Sequence, residues 1–309
     1  MENLQNNSFF YQRQLYIITA KTNMHVGSGE ETYGLIDNRV QRDVLTNLPN
    51  INSSGLKGAL REYFSQKFGE RSQEVIEIFG SDSFEKTEES DKPDESKKHQ
   101  AGKFRFFNAN LLSIPVRSNV RPFFRATSPQ VIEDLIDTLD TFGYDDTFEL
   151  KQSLEQLLTL KLSKEAPLIF SGDEGVILED SRIKAVSVDN TKLDRTHLNK
   201  IEAVTGAPLA FMHNIDFNDM CSDFNLPLIA RNKLEDGRSE NLWHEQVVPR
   251  ETKFYFFVLK PTDSNHNLLF SSGEPVQIGA NASIGYGFCH INEAAELFEG
   301  VSVEKGEES

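Results

Sequence analysis

Residues 24–61, MHVGSGEETYGLIDNRVQRDVLTNLPNINSSGLKGALR, decide how this chain is to be read. The stretch runs from the end of a strand into a glycine turn at Gly27 and Gly29. A loop follows that sets Asp37 among basic residues, and then a helix begins that offers Lys57 and Arg61. That order brings backbone N–H groups, cations and one carboxylate close together, the chemistry needed to grip and cut a phosphodiester.

Working outward, residues 13–23 (RQLYIITAKTN) form a β-branched and aromatic run without a breaker, a first strand. Leu56, Leu60, Phe64 and Phe68 recur at i+4 and predict a helix over 55–68, capped by Ser53 or Ser54, with Lys57 and Arg61 on another stripe. Residues 81–102 are charged and almost devoid of apolar groups, the composition of a flexible insertion. A second strand is expected at 103–112. A helix then starts at Ser128-Pro129 with Ile132, Leu135, Ile136 and Leu139 as its core stripe, and a short helix follows at 149–160. The stretch 185–248 has no clean period and reads as a projecting excursion, a form that often carries function. Strand character returns at 252–260 (TKFYFFVLK). Two short strands around a glycine-rich loop (PVQIGANASIGYGFCHI) and an acidic tail at 298–309 complete the chain. Two β-α-β-like passes with long insertions predict one α+β domain over 1–309, of the split β-α-β, ferredoxin-like kind.

Composition sets bounds. With 309 residues, 38% hydrophobic, the chain can bury a sizeable core. Its two cysteines, Cys221 and Cys289, exclude a disulfide framework or a zinc cluster and fit a reducing cytoplasm. The opening MENLQNNSFF lacks the basic and apolar regions of a signal peptide, and no run approaches a membrane span, so no membrane partner is expected. The net charge of −16 argues against nucleic acid at face value, but the charge is segregated. Residues 96–132 hold seven bases (Lys97, Lys98, Lys103, Arg105, Arg117, Arg121 and Arg125) and no acid, between two acidic segments. This window is either a phosphate-binding surface or a solvated face.

Several side chains can carry chemistry. Asp37, preceded by Gly34 and followed by Arg39 and Arg42, can bind a divalent ion beside a phosphate, act as general base on a ribose hydroxyl, or cap its own turn. His25 can shuttle a proton, hydrogen-bond a ribose or phosphate, or be structural. Ser53, Ser54 and Gly55 open a helix with free N–H groups, where Lys57 adds a point charge and Arg61 a fork, although the P-loop spacing is absent. Glu245, within LWHEQVVPR, is a second carboxylate for a metal or an exposed residue before the next strand. His213 and Phe211 either stack between bases or pack the excursion onto itself. No Ser-His-Asp, Cys-His or CxxC site is present.

Four blocks in this order resemble the RAMP proteins of type III CRISPR effector complexes, above all the repeated backbone subunit of the type III-B (Cmr) branch. They are MHVGSGEETYGLIDNRVQRD, NSSGLKGALREYF, KFRFFNANLLSIPVRSNVRPFFRATSP, and the pair LWHEQVVPRETKFYF with VQIGANASIGYGF. The resemblance implies a modified ferredoxin-like (RRM-like) palm with a thumb within 185–248. Copies would stack in a helical filament along guide RNA beside other effector subunits, each thumb kinking the guide–target duplex. It further implies cutting of complementary target RNA at regular intervals, with Asp37 as the needed carboxylate and metal ligand and His25, Lys57 and Glu245 as contributors. The cofactor implied is a divalent metal, Mg2+ or Mn2+, and the nucleophile is the substrate's 2′-hydroxyl. RNA contacts would fall to Lys57, Arg61, Arg39, Arg42, Ser54, Arg117, Arg121, Arg125, Gly279 and Gly285. The chain departs from the pattern at Gly55, where a second serine is usual, and at Tyr286, in a slot often held by arginine. Its longer thumb region and its acidity depart as well.

Overall fold

The computed structural model describes residues 10–29, 36–81, 100–144, 149–179, 183–189, 191–235, 238–271 and 273–299. The parts of the expected insertion and tail at 82–99 and 300–309 lie outside them, as do Lys97, Lys98 and Gly34.

The strand Lys253–Pro261 is the axis of the molecule. Phe254, Tyr255, Phe256, Phe257 and Val258 are all buried, so both faces of this strand are covered, as its unbroken apolar run requires. The first strand, Tyr11–Ala20, pairs antiparallel along it from Tyr11–Pro261 to Thr19–Lys253. On the other side lies Ala109–Arg117, in register through Tyr255–Asn110. Phe288–Glu293 pairs antiparallel with the outer edge of the first strand. The helix Ser53–Phe68 connects the first strand to Ala109–Arg117 across the intervening axis strand, which is the ferredoxin-like arrangement and makes the fold α+β.

Two features depart from the expected pattern. The second crossover, 262–287, carries the short strand Val276–Gln277 and a 3-10 turn at Ala282–Ile284 among its described residues, in place of an α-helix. The sheet also continues beyond Ala109–Arg117 through Phe123–Thr127, Leu209–Phe211, Leu168–Ile169 and Val186–Ser187. The stretch 185–248 therefore divides. Its first part holds the helix Arg195–Thr205 and the two sheet strands Val186–Ser187 and Leu209–Phe211, with Leu198, Ile201, Leu209 and Phe211 buried; the irregular sequence period hid this apolar face, which distant partners complete. Its second part is a separate hairpin, Leu228–Glu235 with Arg238–Gln246. Phe211, fully buried, is core rather than a stacking group, and His213 accepts the Ile215 N–H at a helix start.

The helix Ser53–Phe68 buries Leu56, Leu60 and Phe64, whereas Phe68 at its end is 41% exposed. Its N-cap is Asn52 rather than a serine, and the Asn108 side chain caps it from outside by accepting the Ser53 N–H at 2.9 Å. The helix Pro129–Phe142 buries Val131, Ile132, Leu135 and Leu139, and Ile136 is only half-buried. No helix among the described residues is long and apolar enough to cross a membrane.

Lys253 brings a titratable charge into the core. Lys253 is buried, and its Nζ donates to the Val204 carbonyl at 3.2 Å, at the last turn of Arg195–Thr205. Burial, and then the nearby Arg125, push its ammonium down to about 7. The unfolded chain therefore binds more protons at this side chain between about pH 7 and pH 10, and folding gains stability as pH rises through that window. Urea unfolding should show wild type gaining on Lys253→Met between pH 7 and pH 10, with a constant difference below pH 6. A difference independent of pH across the whole range would refute this reading.

Candidate active site

The last three residues of the hairpin gather the sequence candidates. His244 donates its N–H to Asp37 Oδ2 at 2.7 Å, and the Asp37 and Asn38 N–H groups donate to the His244 carbonyl at 3.1 and 3.2 Å. On the other side of the same strand end, the Gln246 carbonyl lies 2.7 Å from His25 Nδ1. A carbonyl only accepts, so Nδ1 carries the proton and Nε2 is turned toward Glu245 Oε1, 3.7 Å away. The loops bearing His25 and Asp37 are also joined directly, by a bridge between Gly27 and Val40 and a bond from Gln41 N–H to the Val26 carbonyl at 2.7 Å. A side chain at Gly27 would crowd His25 Nε2, its Cβ standing 3.1 Å away.

Glu245 is only 3% exposed, and a carboxylate so deep must be compensated. Arg231, diagonally across the hairpin, donates from NH1 to Oε2 at 3.0 Å, and Asn281 of the glycine-rich loop donates to Oε1 at 2.8 Å. The Arg231 guanidinium also lies 5.6 Å from the centre of the Tyr286 ring. Glu245 thus ties the hairpin, the His25 loop and the glycine loop together, and both its oxygens are engaged. Gly279 belongs to the same junction: its φ is +92°, and a Cβ there would overlap the His25 carbonyl oxygen, which accepts the Ala280 N–H at 2.8 Å. Its glycine is explained by packing between two loops. Gly285, with φ +84° and open space around it, closes the 3-10 turn. No group of three His, Cys, Asp or Glu side chains among the described residues is arranged to hold a metal ion.

The basic candidates separate into spent and unspent charges. Arg42 bonds Asp223 Oδ1 at 3.0 Å and the Cys221 and Asn47 carbonyls at 2.7 Å each, with only 11% of its side chain exposed. It is a fastener, not an exposed RNA ligand. Arg39 shares Asp223 at 3.1 Å but keeps 40% of its side chain exposed. Arg125 is buried against Glu251, at 2.5 Å, which removes it from any surface. Arg117 and Arg121 are exposed but forked onto Glu179 and Asp173. Acids distant in sequence thus neutralise much of the basic window. Lys57 is different: half-buried beside Arg61, it pairs with no acid among the described residues, and burial followed by that neighbouring charge lowers its pKa. Ser54 is exposed in the first turn of the same helix.

Four residues that sequence reasoning passed over complete the site: Gln246, Arg231, Asn281 and Asp223. Fully buried Gln246 accepts the Val40 N–H at 3.2 Å and donates to the Asp223 carbonyl at 3.2 Å. Adjacency to Glu245 was the available signal for Gln246. For Arg231 it was the two-residue diagonal of a hairpin, visible only once the register is known.

The family model described as RAMPs, the RAMP superfamily, matches residues 17–290. The CRISPR system Cmr endoribonuclease Cmr4 of Pyrococcus furiosus is 27% identical over 297 residues, covering 90% of this chain and 93% of that protein. The CRISPR system CMR subunit Cmr4 of Saccharolobus solfataricus is 33% identical over 103 residues, 33% of this chain and 29% of that one. Among solved structures, a chain of a type III-B Cmr-beta complex bound to cognate target RNA superposes with a TM-score of 0.70 at 22% identity. The overlap spans 93% of this chain and 99% of that chain. Oligomeric Cmr4 from Pyrococcus furiosus superposes at 0.65 and 21% identity, over 92% and 99% of the two chains.

Removing one partner of the clamp strands the other without a counter-charge. Arg231→Gln is expected to cost about 3 kcal/mol in urea unfolding. A double-mutant cycle with Glu245→Gln should show a coupling of about 2 kcal/mol between them. Additive losses would mean that the two side chains do not meet.

Proposed function

This chain belongs to the RAMP superfamily, and from that premise we propose that it is a guide-RNA-binding backbone subunit of a type III-B (Cmr) CRISPR effector that cuts complementary target RNA. The observation that carries this reading is the convergence of His25 and Asp37, from the start of the chain, on the distant consecutive residues His244–Gln246 that include Glu245. The partners that follow are guide RNA, target RNA, further copies of the same chain and the other subunits of the effector. A relative described as an endoribonuclease supports cleavage of RNA as the activity.

The proposed division of labour follows from burial. Glu245, locked between Arg231 and Asn281, positions rather than reacts. Asp37 is half-buried and aimed by the His244 N–H, placing it to take the proton of a ribose 2′-hydroxyl. The 2′-oxygen then attacks the adjacent phosphorus, the P–O5′ bond breaks with the 5′-oxygen taking a proton from water, and a 2′,3′-cyclic phosphate remains. Holding the attacking and leaving oxygens in line supplies much of the acceleration. Lys57 and Arg61, with the open amides of the helix start, would hold phosphates. A divalent cation fits this set only together with RNA: Asp37 and phosphate oxygens would hold it, and it would offset charge on the phosphate under attack.

A non-catalytic scaffold is the competing reading, favoured by the hydrogen bond that ties Asp37 to the hairpin. In the assembled complex, Asp37→Asn should lower target cleavage by a factor on the order of 10² to 10⁴ while guide binding persists. Cleavage surviving at the same positions would establish the scaffold reading. Lys57→Glu should weaken RNA binding and make the slope of log affinity against log salt shallower by about 1. An unchanged slope would remove Lys57 from the interface.

A further inference from the structure

Away from the hairpin junction, a cavity of about 320 Å³ opens between the axis strand, the helix Pro129–Phe142 and the segment 106–110. Phe107, Phe142 and Phe257 are among its lining residues. The Phe142 ring packs 4.5 Å from Phe107 and 4.9 Å from Phe257, centre to centre, the latter pair stacked. Asn108, Asn110, Thr138 and Tyr255 supply polar atoms to the same cavity.

The hydrogen bonds around it fix which polar atoms remain. Tyr255 donates its hydroxyl to Asp134 Oδ2 at 2.5 Å, and Asn110 Nδ2 donates to the same oxygen at 3.2 Å. Burial and then Asp134 hold the Tyr255 hydroxyl neutral, well above the ordinary phenol range. Asn110 therefore keeps Oδ1, an acceptor, unbonded among the described residues. Asn108 Oδ1 accepts the Ser53 N–H at 2.9 Å, so its Nδ2, a donor, is likewise unbonded. Both side chains line the same cavity. An aromatic wall beside one donor and one acceptor suits a flat heterocycle. Asp43 lines the cavity and Asp134 bonds two of its lining residues, Asn110 and Tyr255, and these carboxylates repel a phosphate and welcome an amino group.

We propose that this cavity binds a single unstacked adenine, with its exocyclic amino group beside a ring nitrogen acceptor, from an RNA strand. Its amino group faces Asn110 Oδ1 and its ring nitrogen receives Asn108 Nδ2, while the ring stacks on the phenylalanines. The proposal rests on the reading of the chain as an RNA-binding subunit and is independent of Asp37 as a catalyst.

The test uses the full chain with ten-residue oligoadenylate and oligouridylate, and with 5′-AMP alone. Oligoadenylate should bind about 10-fold more tightly than oligouridylate. Asn108→Asp keeps the oxygen that caps Ser53 but exchanges the donor for an acceptor, so the ratio should fall to near 1 while the thermal midpoint is retained. Equal wild-type affinities, or a preference that survives Asn108→Asp, overturn the proposal and leave RNA binding itself intact. Binding of 5′-AMP without the oligomer overturns the assignment to an RNA strand. Failure of both oligomers to bind at low salt overturns the proposal together with the RNA-binding reading.

Discussion

A carboxylate 3% exposed to solvent is the constraint around which this molecule is arranged. Desolvating Glu245 without compensation would be prohibitive, so the chain brings it a guanidinium, an amide and an imidazole from three separate segments. Each partner is thereby fixed relative to the others. Because the strand that carries Glu245 also bonds Asp37 through His244 and His25 through Gln246, satisfying one buried charge orients two reactive groups. The glycine loop is drawn into the same contact through Asn281. Gly279 is needed there because no Cβ fits against the His25 carbonyl.

Charge is organised by the same economy. A net charge of −16 opposes an RNA partner, yet many acids are neutralised inside the fold. Asp173, Glu179, Asp223 and Glu251 each take an arginine from the basic segments. Exposed pairs such as Arg121–Asp173 contribute little to stability, but they cancel fields that would otherwise extend from the surface. The buried Arg125–Glu251 pair does more, since neither group could be left alone at that depth. Near the helix Ser53–Phe68, Lys57 pairs with no acid among the described residues and lies beside Arg61, which places a local positive charge there despite the composition.

Local pattern made the axis strand legible, because TKFYFFVLK leaves no face for water, and the i+4 recurrence placed the helix Ser53–Phe68 within two residues. The same recurrence mistook Phe68 for core, since periodicity does not say where the sheet beneath a helix stops. The division of 185–248 was hidden for a related reason. Arg195–Thr205 buries its apolar stripe against elements distant in sequence, and Leu209–Phe211 is too short to show alternation. Within the site, His25 and Asp37 stood out because a glycine turn and a basic loop flank them. Arg42 and Arg125 looked like RNA ligands because Asp223 and Glu251, their partners, lie more than a hundred residues away. Residue type told the charge; only the register told whether it was spent.

The second crossover shows how the departures serve the site. A ferredoxin-like fold ordinarily covers that connection with a helix, whereas here the chain turns through Ala282–Ile284 and presents Asn281 at φ +68°. A helix in that place would satisfy its own backbone and hold its side chains at fixed spacing. The tight turn instead lets Ala280 N–H reach the His25 carbonyl and Asn281 reach Glu245 within two successive residues. A conformation that is costly for most side chains other than glycine or asparagine is held by the bond that the Asn281 amide donates to the buried Glu245 carboxylate. Loss of the helix and gain of the clamp are therefore one structural choice. It explains why the glycine-rich loop carries so much of the order around the site while contributing none of the groups assigned to proton transfer.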